Sequence, residues 1–319
     1  MKIAFFGTPA FAVPSLERLV AAGEEIVVAI TQPDRPRGRG HRLQPSPLKT
    51  AALSHNIPVL QPERVGDPGF AVALASCDAD LGVVAAYGKF LPDTILQTPR
   101  HGTINVHASL LPRYRGAAPV HRAIIEGDRE TGVTMIRLVR EMDAGPMLAR
   151  VVRPIADDET SDDVDRALAD IGARLLVSTV RDIAAGRATE QPQNHALATL
   201  APRLTKEDGR VDWTRSARAI HNLVRGLHPW PHAFSYLDGA RYLILRTAVE
   251  ASSGAVATQA PGEIVEAGAD RLRVSCGAGT VLAIHEIQPE GRRRLTARAF
   301  LTGHPIDLPA VFQAVPTTG

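Results

Sequence analysis

The residues best suited to chemistry lie in one apolar run, at positions 103–108. The run predicts a buried strand, and it carries two strongly polar side chains, Asn105 and His107. Residues two apart on a strand point to the same face, so both groups should project from one surface. An amide can donate a hydrogen bond to a developing oxyanion, and an imidazole can move a proton. The pair therefore indicates chemistry on a carbonyl group.

A third polar group, Asp143, lies in an Asp-Ala-Gly-Pro turn after another predicted strand of the same sheet. Its carboxylate could orient the His107 imidazole and stabilise the charged ring. The set contains no serine or cysteine nucleophile, which favours direct transfer over a covalent intermediate. Taken singly, Asp143 is better explained as a turn residue, and His107 is as typical of a core histidine as of a catalytic one.

The stretch 32–45 is rich in arginine, glycine and proline, which predicts a mobile loop. From residue 31 to 50, five positive side chains against Asp34 alone leave a local surplus of +4. Guanidinium groups bind phosphate with bidentate geometry, so the loop is either a phosphate-contacting arm or a solvated surface loop. The arginines concerned are Arg35, Arg37, Arg39 and Arg42.

The order of predicted elements indicates an α/β protein with two domains. Strand, glycine turn, helix and strand open the chain, as in a parallel right-handed sheet, but Gly7 is not followed by the other glycines of a dinucleotide-binding loop. An acidic cluster at 157–163 precedes a long predicted helix and is expected to cap it rather than bind a metal. We predict a first domain at 1–189, a linker at 190–208 and a small β-barrel domain at 209–319.

Composition excludes several classes of protein. The 319 residues are 45% hydrophobic and 22% charged, with a net charge of +2, so no global basicity indicates a nucleic-acid partner. Aromatic residues make up only 4%, which disfavours single-strand binding by stacking. Cys77 and Cys276 lack metal-ligand spacing, so we expect free thiols and no metal. No run has the length of a signal or membrane segment, and we expect a cytoplasmic protein.

These motifs together resemble the catalytic domain of the folate-dependent formyltransferases. The resemblance rests on Asn105-x-His107, the Ser109-Leu110-Leu111-Pro112 segment, Tyr114-Arg115-Gly116 and the downstream Asp143. It implies a Rossmann-like, doubly wound parallel sheet and 10-formyltetrahydrofolate as formyl donor. It further implies that Asn105, His107 and Asp143 are catalytic and that Ser109, Leu110, Leu111 and Pro112 contact folate.

The rest of the chain resembles the branch of that family that acts on methionyl-tRNA. The motifs are the arginine loop with Gly38-Arg39-Gly40, the segments 204–208 and 211–213, the helix motif at 220–226 and Pro229-Trp230-Pro231. The resemblance implies an OB-fold-like C-terminal barrel that binds tRNA, and a monomer. It implies that the arginine loop contacts tRNA, with Arg39 at the acceptor stem.

The implied reaction is formyl transfer to the amino group of methionyl-tRNA, giving formylmethionyl-tRNA for translation initiation and releasing tetrahydrofolate. Two alternatives are a formyltransferase acting on a sugar nucleotide or other small amine, and a non-catalytic RNA-binding relative. The first would have no use for the arginine loop, and the second would have no use for an intact Asn105, His107 and Asp143.

Overall fold

A computed structural model describes residues 1–37, 42–250 and 259–316. The chain forms two compact units. The first comprises residues 1–119, 130–154 and 164–202, and the second comprises 120–129, 155–163 and 203–319. This is a different division of the chain from the domain limits predicted from the sequence, which stay a prediction. Among the described residues, no helix is long and apolar enough to cross a membrane.

Eleven strands and six α-helices lie before residue 203 in the described chain. The strands are β1 (Lys2–Gly7), β2 (Glu25–Ile30), β3 (Arg35–Arg37), β4 (Arg42–Gln44), β5 (Val59–Leu60), β6 (Leu81–Ala85), β7 (Thr103–His107), β8 (Arg115–Gly116), β9 (Glu130–Arg137), β10 (Met147–Pro154) and β11 (Leu200–Ala201). The helices are α1 (Val13–Ala21), α2 (Pro47–Ser54), α3 (Pro68–Ala75), α4 (Asp93–Leu96), α5 (Pro119–Ile125) and α6 (Ser161–Ala184).

The first unit is built on a seven-stranded sheet in the order β10-β9-β7-β6-β1-β2-β5. The five strands from β7 to β5 are mutually parallel, as the sequence predicts, and β9 and β10 add an antiparallel hairpin beside β7. The strand order reverses at β1, because β2 lies on one side of it and β6 on the other. In such sheets ligands bind outside the carboxyl ends of the strands near this reversal.

Close packing explains the glycine that ends β1. A Cβ on Gly7 would lie 2.6 Å from the Cβ of Ala12 and 2.9 Å from the carbonyl oxygen of Ala85, so a side chain there would clash. Gly7 therefore serves the packing of the chain after β1 against β6.

The arginine-rich stretch contains two short strands where the sequence predicts only a loop. Strands β3 and β4 pair antiparallel, with Arg35 opposite Gln44 and Arg37 opposite Arg42. At their base, the Lys49 ammonium contacts Asp34 at 2.6 Å and Gln61 at 2.7 Å. The hydrogen bond from Lys49 lowers the pKa of Asp34. Since these two charges cancel, the predicted surplus resides on the four arginines.

The acidic cluster before α6 caps that helix, as the sequence predicts. The backbone N–H of Asp163 donates to the Thr160 hydroxyl at 3.3 Å, and the N–H of Thr160 donates to the Asp163 carboxylate at 3.0 Å. This reciprocal pair satisfies N–H groups that the first turn of a helix leaves without partners.

Past residue 202 the described chain is mainly antiparallel sheet. Its elements are α7 (Ala217–Gly226), β12 (Ala233–Leu237), β13 (Ala240–Glu250), β14 (Ile264–Gly268), β15 (Arg271–Cys276), β16 (Thr280–Pro289), β17 (Leu295–Thr296) and α8 (Ala297–Gly303). Five of the strands follow the order β12-β13-β16-β15-β14, and β17 pairs with β16.

Residues 310–313 join the two edges of this sheet. Tyr236 on β12 exchanges two backbone hydrogen bonds with Gln313, at 2.8 and 2.9 Å. On the other edge, the N–H of Ile264 donates to Ala310 and that of Phe312 to Gly262, both at 2.8 Å. The Phe312 ring stacks on Trp213 at 5.6 Å. Residues 310–313 thus pair with strand edges that would otherwise be unpaired. The predicted fold class is confirmed.

Helix α7 carries buried polar groups that bind the segment 155–163 within the second unit. The His221 ring contacts the Thr247 hydroxyl at 3.0 Å and the carbonyl oxygen of Asp157 at 2.9 Å. The Arg225 guanidinium donates to the carbonyl oxygens of Ala156 and Glu159 at 3.1 and 3.2 Å. The helix motif at 220–226 therefore has a structural explanation within this unit.

Candidate active site

The three residues predicted to be catalytic come together in the structure. Asn105 and His107 lie on one face of β7, and Asp143 lies in the loop 138–146 between β9 and β10. The distance from His107 Nδ1 to Asp143 Oδ2 is 3.6 Å, and that from Asn105 Nδ2 to Asp143 Oδ1 is 3.5 Å. His107 is only 5% exposed, while Asn105 is partly exposed. One carboxylate thus lies between the amide and the imidazole.

The Asp143 carboxylate is held by the backbone after the Ser109–Pro112 segment. The N–H of Gly116 donates to Asp143 Oδ2 at 2.9 Å. Asp143 has φ of +49°, in the left-handed region that Asp and Asn enter more readily than most residues. The loop conformation therefore suits the residue type found at its tip.

The second nitrogen of His107 faces the backbone. Nε2 lies 3.0 Å from the carbonyl oxygen of Tyr114, and because a carbonyl only accepts, Nε2 must carry a proton. The neighbour of Nδ1, the Asp143 carboxylate, also accepts. A ring with protons on both nitrogens would thus have a partner for each, which suits a group that receives and returns a proton.

The four residues predicted to contact folate form a turn directly after β7. The Ser109 hydroxyl donates to the carbonyl oxygen of Arg113 at 2.7 Å, and the Ser109 carbonyl accepts from the Thr134 hydroxyl at 2.7 Å. The side chains of Ser109 and Leu111 are buried. Leu110 and Pro112 are partly exposed, so they are the members of the turn whose side chains a ligand could touch.

The segment 86–91, which the sequence analysis did not single out, forms the adjacent rim after β6. Tyr87 is buried against Phe6 with ring centroids 5.6 Å apart, and burial raises the pKa of Tyr87 to about 12. Its carbonyl oxygen accepts from the side chains of Thr8 and Gln32. Phe90 is 61% exposed. The signal available in the sequence was an aromatic residue, Phe90, two positions after Gly88.

A second contribution comes from the segment 190–201, within the stretch predicted to be a linker. Strand β11 pairs in parallel with β8, and the Thr199 hydroxyl accepts from the N–H of Tyr114 at 2.9 Å. The Gln193 side chain is buried and hydrogen-bonds to the loop that carries Asp143. Its polar composition resembled an ordinary linker, so the sequence held no signal for this role.

The arginines predicted to bind tRNA are not joined to these groups by any hydrogen bond or ion pair that the described residues show. Arg35 is exposed on β3, Arg37 and Arg42 have their backbone in β3 and β4, and Arg39 lies outside the described residues. Nor do the described residues contain a group of three or more His, Cys, Asp or Glu side chains suited to a metal ion.

Comparison with known proteins agrees with this geometry. The formyl transferase family profile matches residues 1–180, and the profile of the formyl transferase C-terminal domain matches residues 203–305. The chain belongs to the formyl transferase family. Within this formyl transferase, Asn105, His107, Asp143 and the Ser109–Pro112 turn all fall inside the first matched region.

Two curated relatives illustrate the similarity. A protein named methionyl-tRNA formyltransferase from Citrifermentans bemidjiense is 45% identical over 95% of this chain and 94% of its own length. One of the same name from Thiobacillus denitrificans is 47% identical over 95% and 96%. Among solved structures, WlaRD, a sugar 3N-formyl transferase, matches with a TM-score of 0.65 at 18% identity, over 92% of this chain and 99% of WlaRD. That likeness concerns the fold.

Proposed function

We propose that this chain transfers the formyl group of 10-formyltetrahydrofolate to the amino group of methionyl-tRNA. The clustering of Asn105, His107 and Asp143 carries the proposal, because it places an oxyanion donor and a proton carrier within reach of one carboxylate. The printed name of the relatives, which match nearly the whole chain, supports methionyl-tRNA as the acceptor.

The reaction begins with attack of the neutral methionyl amine on the formyl carbon. A C–N bond forms, and the former carbonyl oxygen becomes an oxyanion that the Asn105 amide and the His107 ring stabilise. The proton of the attacking amine passes through His107 or an ordered water to the folate nitrogen, whose bond to the formyl carbon then breaks. No covalent enzyme intermediate forms.

In this scheme the Asp143 carboxylate holds the His107 imidazole in its orientation. His107 Nε2 donates to the Tyr114 carbonyl, so the ring takes up the proton at Nδ1, which faces the Asp143 carboxylate. The turn 109–112 and the rim 86–91 lie at the carboxyl ends of β7 and β6, where α/β sheets bind ligands. We place the folate donor there, with Ser109, Leu110, Leu111 and Pro112 as its contacts.

The acceptor end of the tRNA is assigned to the arginine loop, residues 32–45. Arg35, Arg37, Arg39 and Arg42 carry its positive surplus, since Lys49 is paired with Asp34. Contacts of this kind address phosphates regardless of sequence and weaken with salt. The proposal includes a cytoplasmic monomer that forms formylmethionyl-tRNA for translation initiation.

The test is a formyl-transfer assay with charged methionyl-tRNA and, separately, a nucleotide-linked amino sugar as acceptor. We expect turnover with methionyl-tRNA alone, and transfer only to the amino sugar would overturn the proposal. Arg39→Ala and Arg35→Ala should weaken tRNA binding and reduce the slope of log affinity against log salt by about 1 each. Arg64→Ala, which changes an exposed arginine outside the arginine loop, serves as control.

A further inference from the structure

Gln193 is a buried amide that contacts the site from a segment of irregular chain. It lies between α6 and β11 and is 5% exposed. Its Nε2 donates two hydrogen bonds, to the carbonyl oxygens of Asp143 and Gly145, each at 2.8 Å. Both N–H groups of the amide therefore donate to the loop that carries Asp143.

Arg115 fixes which end of the Gln193 amide faces the loop. The Nε and Nη2 atoms of Arg115 lie 3.1 and 2.7 Å from Gln193 Oε1, and Nη2 also lies 3.1 Å from His195 Nδ1. A guanidinium group only donates, so the amide oxygen must face Arg115. The amide nitrogen is thereby directed at the two carbonyl oxygens.

The loop has features that call for such support. Asp143 has φ of +49°, a region that few residues other than glycine occupy, although Asp enters it more readily than most. A Cβ on Gly145 would collide with the carbonyl oxygen of Arg137, so the chain passes unusually close to β9 there. Carbonyl oxygens on either side of Ala144 need donors, and Gln193 supplies them.

We propose that Gln193 is a positioning residue for formyl transfer, a proposal that rests on the proposed function of the Asp143 site. It holds the backbone of Asp143 so that the carboxylate reaches His107 and the N–H of Gly116 together. Arg115 acts through Gln193 by orienting its amide. The segment 190–201 then belongs to the working site, although Gln193 follows Asp143 by 50 positions.

The test is a double-mutant cycle in the full chain, with Gln193→Met and Asp143→Asn. Methionine has the length of glutamine but no hydrogen-bonding amide. Gln193→Met should lower kcat by about tenfold to a hundredfold, since small displacements of a reacting group are costly. KM for either substrate should change by less than about twofold, because Gln193 makes no contact with the substrates in this proposal. In the Asp143→Asn background, Gln193→Met should lower kcat by a further factor of less than about three.

Gln97→Met is the matched control. Gln97 follows α4, outside the segments that form the site, and its side chain is exposed. This variant should keep wild-type kcat and KM. If Gln193→Met does not fold, Gln193→Glu offers a second route, because it retains an oxygen for Arg115 and lacks both N–H donors.

The outcomes separate the two proposals. Wild-type kcat in the Gln193 variants, or an equal loss in both Asp143 backgrounds, would overturn the positioning role. If the wild-type protein fails to formylate methionyl-tRNA, the proposed function itself is wrong. If Asp143→Asn has full activity, the role of Asp143, and with it the positioning role of Gln193, is wrong. A loss confined to KM would assign Gln193 to substrate binding and also overturn the proposal.

Discussion

His107 and His221 are two buried histidines with opposite surroundings. His107, 5% exposed, faces the Asp143 carboxylate at 3.6 Å and lies beside the partly exposed Asn105. The ring of His221, 9% exposed, hydrogen-bonds to a hydroxyl and a backbone carbonyl, and burial lowers its pKa. Burial alone therefore does not distinguish a reactive histidine from a structural one. The charge and accessibility of its partners do.

The largest effect should come from the first histidine. His107→Ala, or Asn105→Ala, removes a group that stabilises the oxyanion, which typically raises the barrier by about 3 kcal/mol, or roughly a hundredfold to a thousandfold in rate. Single-turnover formyl transfer measures this, and thermal melting should show that the fold survives. His221→Ala should do the reverse, lowering the melting temperature while the folded enzyme keeps its kcat. Near-normal turnover of His107→Ala would show that His107 is not the reactive histidine of the two.

Arg225 tests whether the surroundings of His221 are structural throughout. Arg225→Met removes hydrogen bonds to two carbonyl oxygens and to Asn222. Since buried acceptors left without donors are costly, the free energy of unfolding should fall by about 2 kcal/mol. Denaturant unfolding gives this value, with the exposed Arg203→Met as control. A fall in kcat at unchanged stability would contradict a purely structural role.

A smaller effect is expected at Thr247, whose hydroxyl contacts His221 Nδ1 at 3.0 Å. Thr247→Val keeps the shape and removes the hydroxyl, so the protein should lose about 1 kcal/mol of stability. Urea unfolding at neutral pH measures the loss. No change in stability would show that the ring finds another partner.

The smallest expected effect is on the pH dependence of stability. Burial lowers the pKa of His121, His221 and His232 below the ordinary value of 6.5. Just below pH 6.5, these histidines are therefore protonated in the unfolded chain but remain neutral in the folded chain. The three neutral histidines therefore contribute to stability above about pH 6.5, and this contribution is lost as the pH falls from 6.5 toward their lowered pKa values. Melting temperatures from pH 7.5 downward should decline, and less steeply in His221→Gln. An unchanged slope would exclude His221 as a source.

Much of this molecule follows from local sequence pattern. The strand predicted at 103–108 is observed at Thr103–His107. Asn105 and His107 were recognisable because polar groups are unusual in an apolar run. The family resemblance then pointed to Asp143, whose approach to His107 depends on how the loop 138–146 folds back.

The remainder depends on contacts between residues distant in sequence. Strands β8 and β11 are two residues long and exist because Arg115 meets Leu200 and Gly116 meets Ala201. Gln193 lies in a polar segment without period, and only the folded chain shows its amide beneath the Asp143 loop. Helix α8 was likewise not predicted. Short elements of this kind carry too few residues for a periodic signal.

The two compact units are interleaved along the chain, which limits how this protein can be recombined. Helix α5 precedes much of the first unit yet packs in the second, where His121 Nδ1 donates to Gly226 at 2.8 Å and Arg122 pairs with Asp208 at 2.9 Å. A chimera joined at residue 202 would pair one parent's α5 with the other parent's α7. Viable exchanges between family members must move residues 120–129 and 155–163 together with the C-terminal part.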